Sequence, residues 1–222
     1  MNHPKLKKAR TYGPDVRLVK REGGLVVEKT YRDKGPAVRL AGVALVAWER
    51  FIYRRLEGVE GIPAVVPGSD RSTLLTVFMG GVNLRDAPVS PGRPYYEALR
   101  SLISRMHARG VIHLDLRNRR NYGIDEEGRP YLVDFASSLY LPWGGPVRRL
   151  LEEIDWMGYA KVREKVSPGT LDEGERKLLG RGNVLSGLWL PTKALRALRS
   201  LGKRLRARPF RGRPRPGNGG RK

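Results

Sequence analysis

Residues 111–135 read VIHLDLRNRRNYGIDEEGRPYLVDF, and this stretch constrains the fold more than any other. A short β-branched run stops at His113, a polar loop carries the chain to Asn121, and a hairpin with DEEG at its turn closes on Asp134. Two carboxylates, Asp115 and Asp134, are thereby set at the ends of neighbouring strands, nineteen residues apart, with Asn121 between them. A strand, loop and hairpin of this kind need helices to cover them, so the expected architecture is mixed.

The rest of the chain supplies those helices, mostly after the strands. DVRLVKREGGLVVEKTYRD reads as two strands around a Gly-Gly turn. AGVALVAWERFIYRRLEG places Leu45, Trp48, Ile52 and Leu56 at helical steps before Gly58. IPAVVPG and STLLTVFMGG give two further β-like runs, the second closed by Gly80 and Gly81. PYYEALRSLISRMHARG is a helix with Tyr96, Leu99, Leu102, Ile103 and Met106 on one face and Gly110 at its end. PVRRLLEEIDWMGYAKVREKV is another, with Val147, Leu150, Leu151, Ile154 and Met157 at helical spacing, and LDEGERKLLGRG predicts a further short one. The expected fold class is α+β: a small β-rich lobe over 13–82 and a reduced, mostly helical lobe over 83–190.

Charge separates the ends from this body. Of the net +22, twelve units fall in the last 31 residues, which hold no acid, and four in the first twelve. The body, 13–191, is left with +6. The expected organisation is therefore a basic N-terminal extension over 1–12, a basic amphipathic helix over 191–207 and an Arg/Pro/Gly-rich disordered tail over 208–222. Residues 192–222 suit an anionic partner, RNA phosphate or an anionic membrane surface; docking of the leucine stripe on the protein's own helical lobe is the third reading. No cysteine is present, which excludes disulfides and thiolate metal sites. The longest apolar run, LAGVALVAW, is too short to span a bilayer, and a cytoplasmic location is expected, with the inner membrane surface as the alternative.

The chemistry-bearing residues form a series. Asp115 and Asp134, with an amide between them, suit a divalent cation and a phosphate, because Mg²⁺ takes one or two carboxylates and leaves sites for substrate oxygens. Upstream, Lys29 ends an apolar strand and Glu49 sits in the following helix. A strand lysine paired with a helix carboxylate can hold a polyphosphate in a fixed place. Taken singly, Lys29 and Glu49 read as a surface pair, Asp134 as a strand cap and Asp125 as a turn residue.

Over residues 15–160 this series resembles the protein-kinase-like superfamily. VVEK resembles the strand-lysine motif, Glu49 in AWERF its ion-pair partner, HLDL the catalytic-loop H-R-D-L, and DFA the D-F-G motif. The resemblance implies a bilobal kinase-like fold and transfer of the γ-phosphate of ATP to a hydroxyl, on protein Ser/Thr or on a sugar, by a monomer. It implies that Lys29 and Glu49 serve the nucleotide, and that the strand and hinge LLTVFMGG meet adenine near Phe78, Met79 and Gly80. Asp115 would orient or deprotonate the acceptor, Arg117 would neutralise charge on the transferred group, and Asn121 and Asp134 would bind Mg²⁺. Only about a dozen residues separate Asp134 from the next predicted helix, so no long activation loop fits. That brevity resembles compact prokaryotic RIO-type and lipopolysaccharide-core (Kdo/WaaP-like) kinases, where Asp155 in IDWMG would match the helix aspartate that braces the catalytic loop. His113 is expected to pack beneath that loop, and His107 to be structural or solvent-facing.

Three departures bear on activity. No G-x-G-x-x-G occurs, Ala136 stands third in D-F-G, and Asn121 lies six residues beyond Asp115, one more than usual, with Asn118 the other candidate. Arg119 and Arg120 read equally as a solvated face, a phosphate clamp or an RNA contact. A non-catalytic pseudokinase adaptor working through its basic ends is the rival reading, against which stands the survival of Lys29, Glu49, Asp115, Asn121 and Asp134 together.

Overall fold

The computed structural model describes residues 11–185, with side chains to 180. The chain divides into two units, Met1–Arg181 and Gly182–Lys222, and the first of them holds both lobes. The expected basic helix over 191–207, the tail over 208–222 and most of the N-terminal extension lie outside the described residues.

The first lobe is an antiparallel sheet with a helix against it. Strands β1 (Asp15–Arg21) and β2 (Gly24–Thr30) form a hairpin whose turn is Glu22 and Gly23, one position earlier than the Gly-Gly turn expected. Strand β3 (Thr73–Val77) pairs with β2, setting Lys29 opposite Leu74 and Val27 opposite Thr76. Between them runs α1 (Pro36–Arg55), begun by a proline at its first turn, where a missing N–H costs nothing, and ended by Arg54 and Arg55 at its negative pole. IPAVVPG forms no strand. It runs extended with a single bridge, Val65 to Thr76, because Pro63 and Pro67 remove the donors that a ladder would need.

The second lobe hangs on α2 (Arg93–Ala108), which buries Tyr95, Tyr96, Leu99, Leu102, Ile103 and Met106 as its spacing predicts. Then come β5 (Val111–Ile112), the loop, and the hairpin β6 (Tyr122–Ile124) and β7 (Pro130–Leu132). The two-residue strand β4 (Val82–Asn83) joins that hairpin, and β8 (Leu139–Tyr140) pairs with β5. Helices α3 (Pro146–Val166) and α4 (Glu173–Leu185) follow. Asp125 is a turn residue as expected, its carboxylate accepting from the Glu127 and Arg129 N–H groups.

One core runs through both lobes. Ile52 and Leu56 of α1 join Leu99, Ile103 and Met106 of α2, and the cluster continues beneath the loop through Leu116, Tyr122, Leu132 and Phe135. Fully burying such a side chain contributes roughly 1.5–3 kcal/mol, so the loop is held by packing as well as by hydrogen bonds.

Two predicted helix faces are right only in part, for one reason; on α1, Ile52 and Leu56 are buried as their spacing predicts. On α1, Leu45 and Trp48 are exposed at 43% and 37%, and the buried stripe is Val46, Glu49, Ile52 and Tyr53. On α3, Val147 and Leu150 are exposed at 65% and 50%, and the buried stripe contains Asp155, Gly158, Tyr159 and Val162. Each inward face carries a carboxylate, which a count of apolar positions steers away from. Glu49 lines the cleft between the lobes, and Asp155 lies under the loop after β5. Among the described residues, no helix is long and apolar enough to cross a membrane.

Candidate active site

In β2 alternate side chains share a face, so Val27 and Lys29 both line the space between the lobes. On α1, Glu49 and Tyr53 are one turn apart and face the same space. The Lys29 ammonium meets Glu49 Oε2 at 2.7 Å and Asp134 Oδ1 at 2.9 Å, joining residues 105 positions apart. Burial alone would lower the Lys29 pKa, but the Glu49 and Asp134 carboxylates outweigh it and hold the pKa above the ordinary lysine value. Lys29 is therefore charged throughout the physiological range. Tyr53 is also buried here; burial and the Glu49 carboxylate push its pKa up, so the phenol stays protonated.

Asp134 is not a plain strand cap. Its φ of 68° and ψ of 63° are left-handed, a conformation that is uncommon outside glycine and that aspartate adopts more readily than most. Phe135 is fully buried, its ring centroid 5.0 Å from Tyr53 and 4.8 Å from His113, and that packing turns the Asp134 carboxylate back toward Lys29.

The loop is fixed from below by α3. Asp155, 1% exposed, accepts the His113 N–H and the Leu114 N–H at 2.7 Å each and the His107 ring nitrogen at 3.0 Å. This is the bracing role expected of Asp155, and it makes His107 structural and buried. Leu114 has φ of 60°, a second left-handed non-glycine residue, and Asp155 grips its N–H directly. Gly158 allows the approach, since a Cβ there would lie 2.9 Å from the Leu116 carbonyl carbon. His113 Nδ1 accepts from the Asp115 N–H at 3.3 Å, so the proton sits on Nε2, which donates to the Val133 carbonyl at 3.1 Å. A ring holding both bonds is structural.

The extra residue between Asp115 and Asn121 does not displace the amide. Asn118 Oδ1 accepts the Arg120 N–H at 3.2 Å, and residues Arg119–Asn121 wind into one 3₁₀ turn that takes up the added length. Asn121 Nδ2 then donates to the Asp115 carbonyl at 3.0 Å and to Asp115 Oδ2 at 2.9 Å. Asn118 Nδ2 lies 3.3 Å from Asn121 Oδ1 and 3.5 Å from Asp115 Oδ2, so it ties the two side chains together.

The cleft lined by Lys29, Glu49, Tyr53 and Asp134 has a volume of about 410 Å³, within the usual range for small-molecule sites, and Asp115 and Asn121 are not part of its lining. Phe78 and Met79 line it, but Gly80 does not; Gly81 takes its place. The Phe78 N–H donates to the Leu25 carbonyl, and the Gly80 carbonyl accepts from Tyr131, so neither of those groups is available to a ligand. Gly81 must be glycine: its φ is 56° and a Cβ would lie 1.9 Å from the Ile124 carbonyl oxygen. Arg117 is exposed two residues beyond Asp115. Sequence reasoning missed Tyr53, Asn83 and Asp86 as cleft residues, and left a phosphate clamp as one of three readings of Arg120. Tyr53, four positions after Glu49, was legible by helical spacing; the others depend on turns whose geometry the sequence does not show.

For a divalent cation the oxygen donors in question are the Asp134 carboxylate, whose Oδ1 accepts from Lys29, and the Asn121 amide oxygen, which lies 3.3 Å from Asn118 Nδ2. That donor set suits Mg²⁺, which keeps several waters and takes substrate oxygens, better than it suits an all-protein cage. Among the described residues, no group of three or more His, Cys, Asp or Glu is placed to hold a metal ion by itself.

No protein-family model matches the chain, and no curated protein matches it. Solved structures do. A crystal structure of the Rio2 kinase from Chaetomium thermophilum aligns over 75% of this chain with a TM-score of 0.55 and 19% identity. A second, the Rio2 kinase–ADP/Mg²⁺–phosphoaspartate complex from the same organism, aligns over 91% with a TM-score of 0.56 and 17% identity. The chain spans 60% and 71% of those two chains. The fold is thus protein-kinase-like, of the kind seen in Rio2, with a small antiparallel sheet lobe and a helical lobe.

Proposed function

We propose that this protein is an ATP- and Mg²⁺-dependent phosphotransferase that moves the γ-phosphate to a hydroxyl, with a protein Ser or Thr as the first candidate acceptor and a sugar hydroxyl as the second. The observation that carries this reading is the Lys29 ammonium bridging Glu49 and Asp134 in the wall of the cleft, with the Asp115 carboxylate bonded to Asn121 in the loop that brings Arg120 to the same wall. A scaffold that only bound partners would have no need to bury a lysine between two carboxylates and to hold Leu114 and Asp134 in left-handed conformations around it. The occurrence of ADP and Mg²⁺ in a similarly folded structure supports the same assignment.

Each residue then has a task that its position allows. Lys29, aimed by Glu49, holds the α- and β-phosphates. Asn121 and Asp134 hold the cation, which when bound supplies neutralisation of the phosphate oxygens. Asp115 Oδ2 is held by the Asn121 amide, which turns Oδ1 toward the acceptor. The acceptor oxygen forms its bond to the γ-phosphorus as the bond to the β,γ-bridging oxygen breaks, ADP leaves with that electron pair, and the acceptor proton passes to Asp115. Arg117 meets the charge on the transferred group.

Calorimetric titration with Mg-ATP tests the binding half of the proposal. The chain is expected to bind Mg-ATP, and Lys29→Met to weaken it by about tenfold or more, the value of a charge-assisted phosphate contact. A folded wild-type chain that binds no Mg-ATP, or a Lys29→Met chain that binds it equally well, would sink the reading.

A further inference from the structure

We propose that Arg120 is a phosphate-contacting residue of the nucleotide cleft, supplied by the catalytic loop in place of a phosphate-covering loop between β1 and β2. The inference rests on the nucleotide reading of the cleft and adds to it the group that grips the polyphosphate.

The first observation is what the sheet lobe lacks. Arg21 pairs with Gly24, so the β1–β2 connection is the two residues Glu22 and Gly23. A turn that short cannot fold over a triphosphate and offer it a row of N–H groups, and the side chain at its tip is a carboxylate. A phosphate bound beneath it needs its donors from elsewhere.

The second is the charge balance of the lining. Glu49, Asp86 and Asp134 are set against two cations, Lys29 and Arg120. Lys29 is already shared between Glu49 and Asp134. For Arg120, no hydrogen bond or ion pair of the guanidinium is found among the described residues, so it is the cation with its donors still to offer.

The third is how Arg120 reaches the cleft. A 3₁₀ helix has three residues per turn, so Arg119, Arg120 and Asn121 project about 120° apart. With Asn121 held inward by its bonds to Asp115, Arg120 falls on the cleft wall beside Val133 and Asp134, whereas Arg119 is not part of that lining. The main chain is fixed at this point, by the Arg120 N–H to Asn118 and by the Val133 N–H to the Asn121 carbonyl at 3.0 Å. The residue that lengthens the loop between Asp115 and Asn121 is therefore what makes this turn possible. A planar guanidinium on a fixed stem is suited to two parallel bonds to one phosphate, which a lysine cannot make.

The test compares ligands with and without phosphates. Mg-ATP and adenosine are titrated against the wild-type chain, Arg120→Ala, Arg120→Lys and Arg149→Ala; Arg149 is exposed on α3, so its removal controls for charge alone. Arg120→Ala is expected to weaken Mg-ATP by about tenfold, one charge-assisted contact, and adenosine by less than about twofold. Arg120→Lys recovers part of the loss, and Arg149→Ala changes neither affinity. Equal weakening of both ligands by Arg120→Ala would make Arg120 a structural part of the cleft and overturn the proposal. An unchanged Mg-ATP affinity would overturn it too. A wild-type chain that binds neither ligand removes the nucleotide reading itself, a result distinct from either of these.

Discussion

Asp115→Asn is expected to slow phosphoryl transfer by about 10³-fold while leaving Mg-ATP affinity within about threefold of wild type, the range general-base removal produces. The substitution keeps the shape of the side chain and removes only its charge and its capacity to accept a proton. Asn121 Nδ2 donates to Asp115 Oδ2 at 2.9 Å, so the new amide orients its oxygen toward Asn121 and its NH₂ toward the acceptor. A donor then stands where the acceptor hydroxyl must release its proton. Single-turnover transfer from γ-labelled ATP measures the step directly, since product release does not limit it. A rate within about tenfold of wild type would take Asp115 out of the chemistry, whatever its position.

Asp155→Ala is expected to cost about 3–5 kcal/mol of stability, the usual effect of leaving several buried donors without an acceptor. Three are at stake: the His113 N–H, the Leu114 N–H and the His107 ring, all facing a carboxylate that is 1% exposed. The loss also releases Leu114 from its left-handed backbone, which costs about 1–2 kcal/mol to hold, so the loop bearing Asp115 should move even in molecules that remain folded. Asp155→Asn separates the two effects. Its oxygen can still accept the His113 N–H and the His107 ring, which share one carboxylate oxygen, but its NH₂ then faces the Leu114 N–H, so about half the stability loss is expected with nearly the full loss of transfer. Urea unfolding of both variants, beside their transfer rates at low denaturant, checks this. Wild-type unfolding midpoints for Asp155→Ala would show that the three bonds do not hold the loop.

Whether a residue was legible in the sequence depended on how local its role is. Lys29, Glu49, Asp115, Asn121 and Asp134 stand in order and spacing along the chain, and the structure joins Lys29, Glu49 and Asp134 in one cleft and Asp115 to Asn121 in the loop. Helix α2 is readable because its buried face is apolar but for His107. On α1 and α3 periodicity points to the wrong face because Glu49 and Asp155 are buried for the sake of distant partners, 20 residues away in the case of Glu49 and 42 in the case of His113. Periodicity counts neighbours within an element and does not register such partners. Of the three hinge residues Phe78 and Met79 line the cleft and Gly80 does not, its carbonyl accepting from Tyr131 on a strand 51 residues on. The added loop residue stands out in the sequence as a departure of unknown sense. Only the Asn118-capped turn shows that it leaves Asn121 in place and carries Arg120 to the cleft.

A cleft that transfers phosphate differs from one that merely binds nucleotide in the fate of the γ-phosphate. The most direct measurement incubates the full chain with Mg²⁺ and γ-labelled ATP and follows the label. The prediction is that label leaves ATP over many turnovers, to an added protein or glycan acceptor, to the chain itself or to water, and that Asp134→Ala stops it. Label that stays on ATP in the wild-type chain, with Mg-ATP bound and the protein folded, would contradict phosphoryl transfer and leave the cleft a binding site alone.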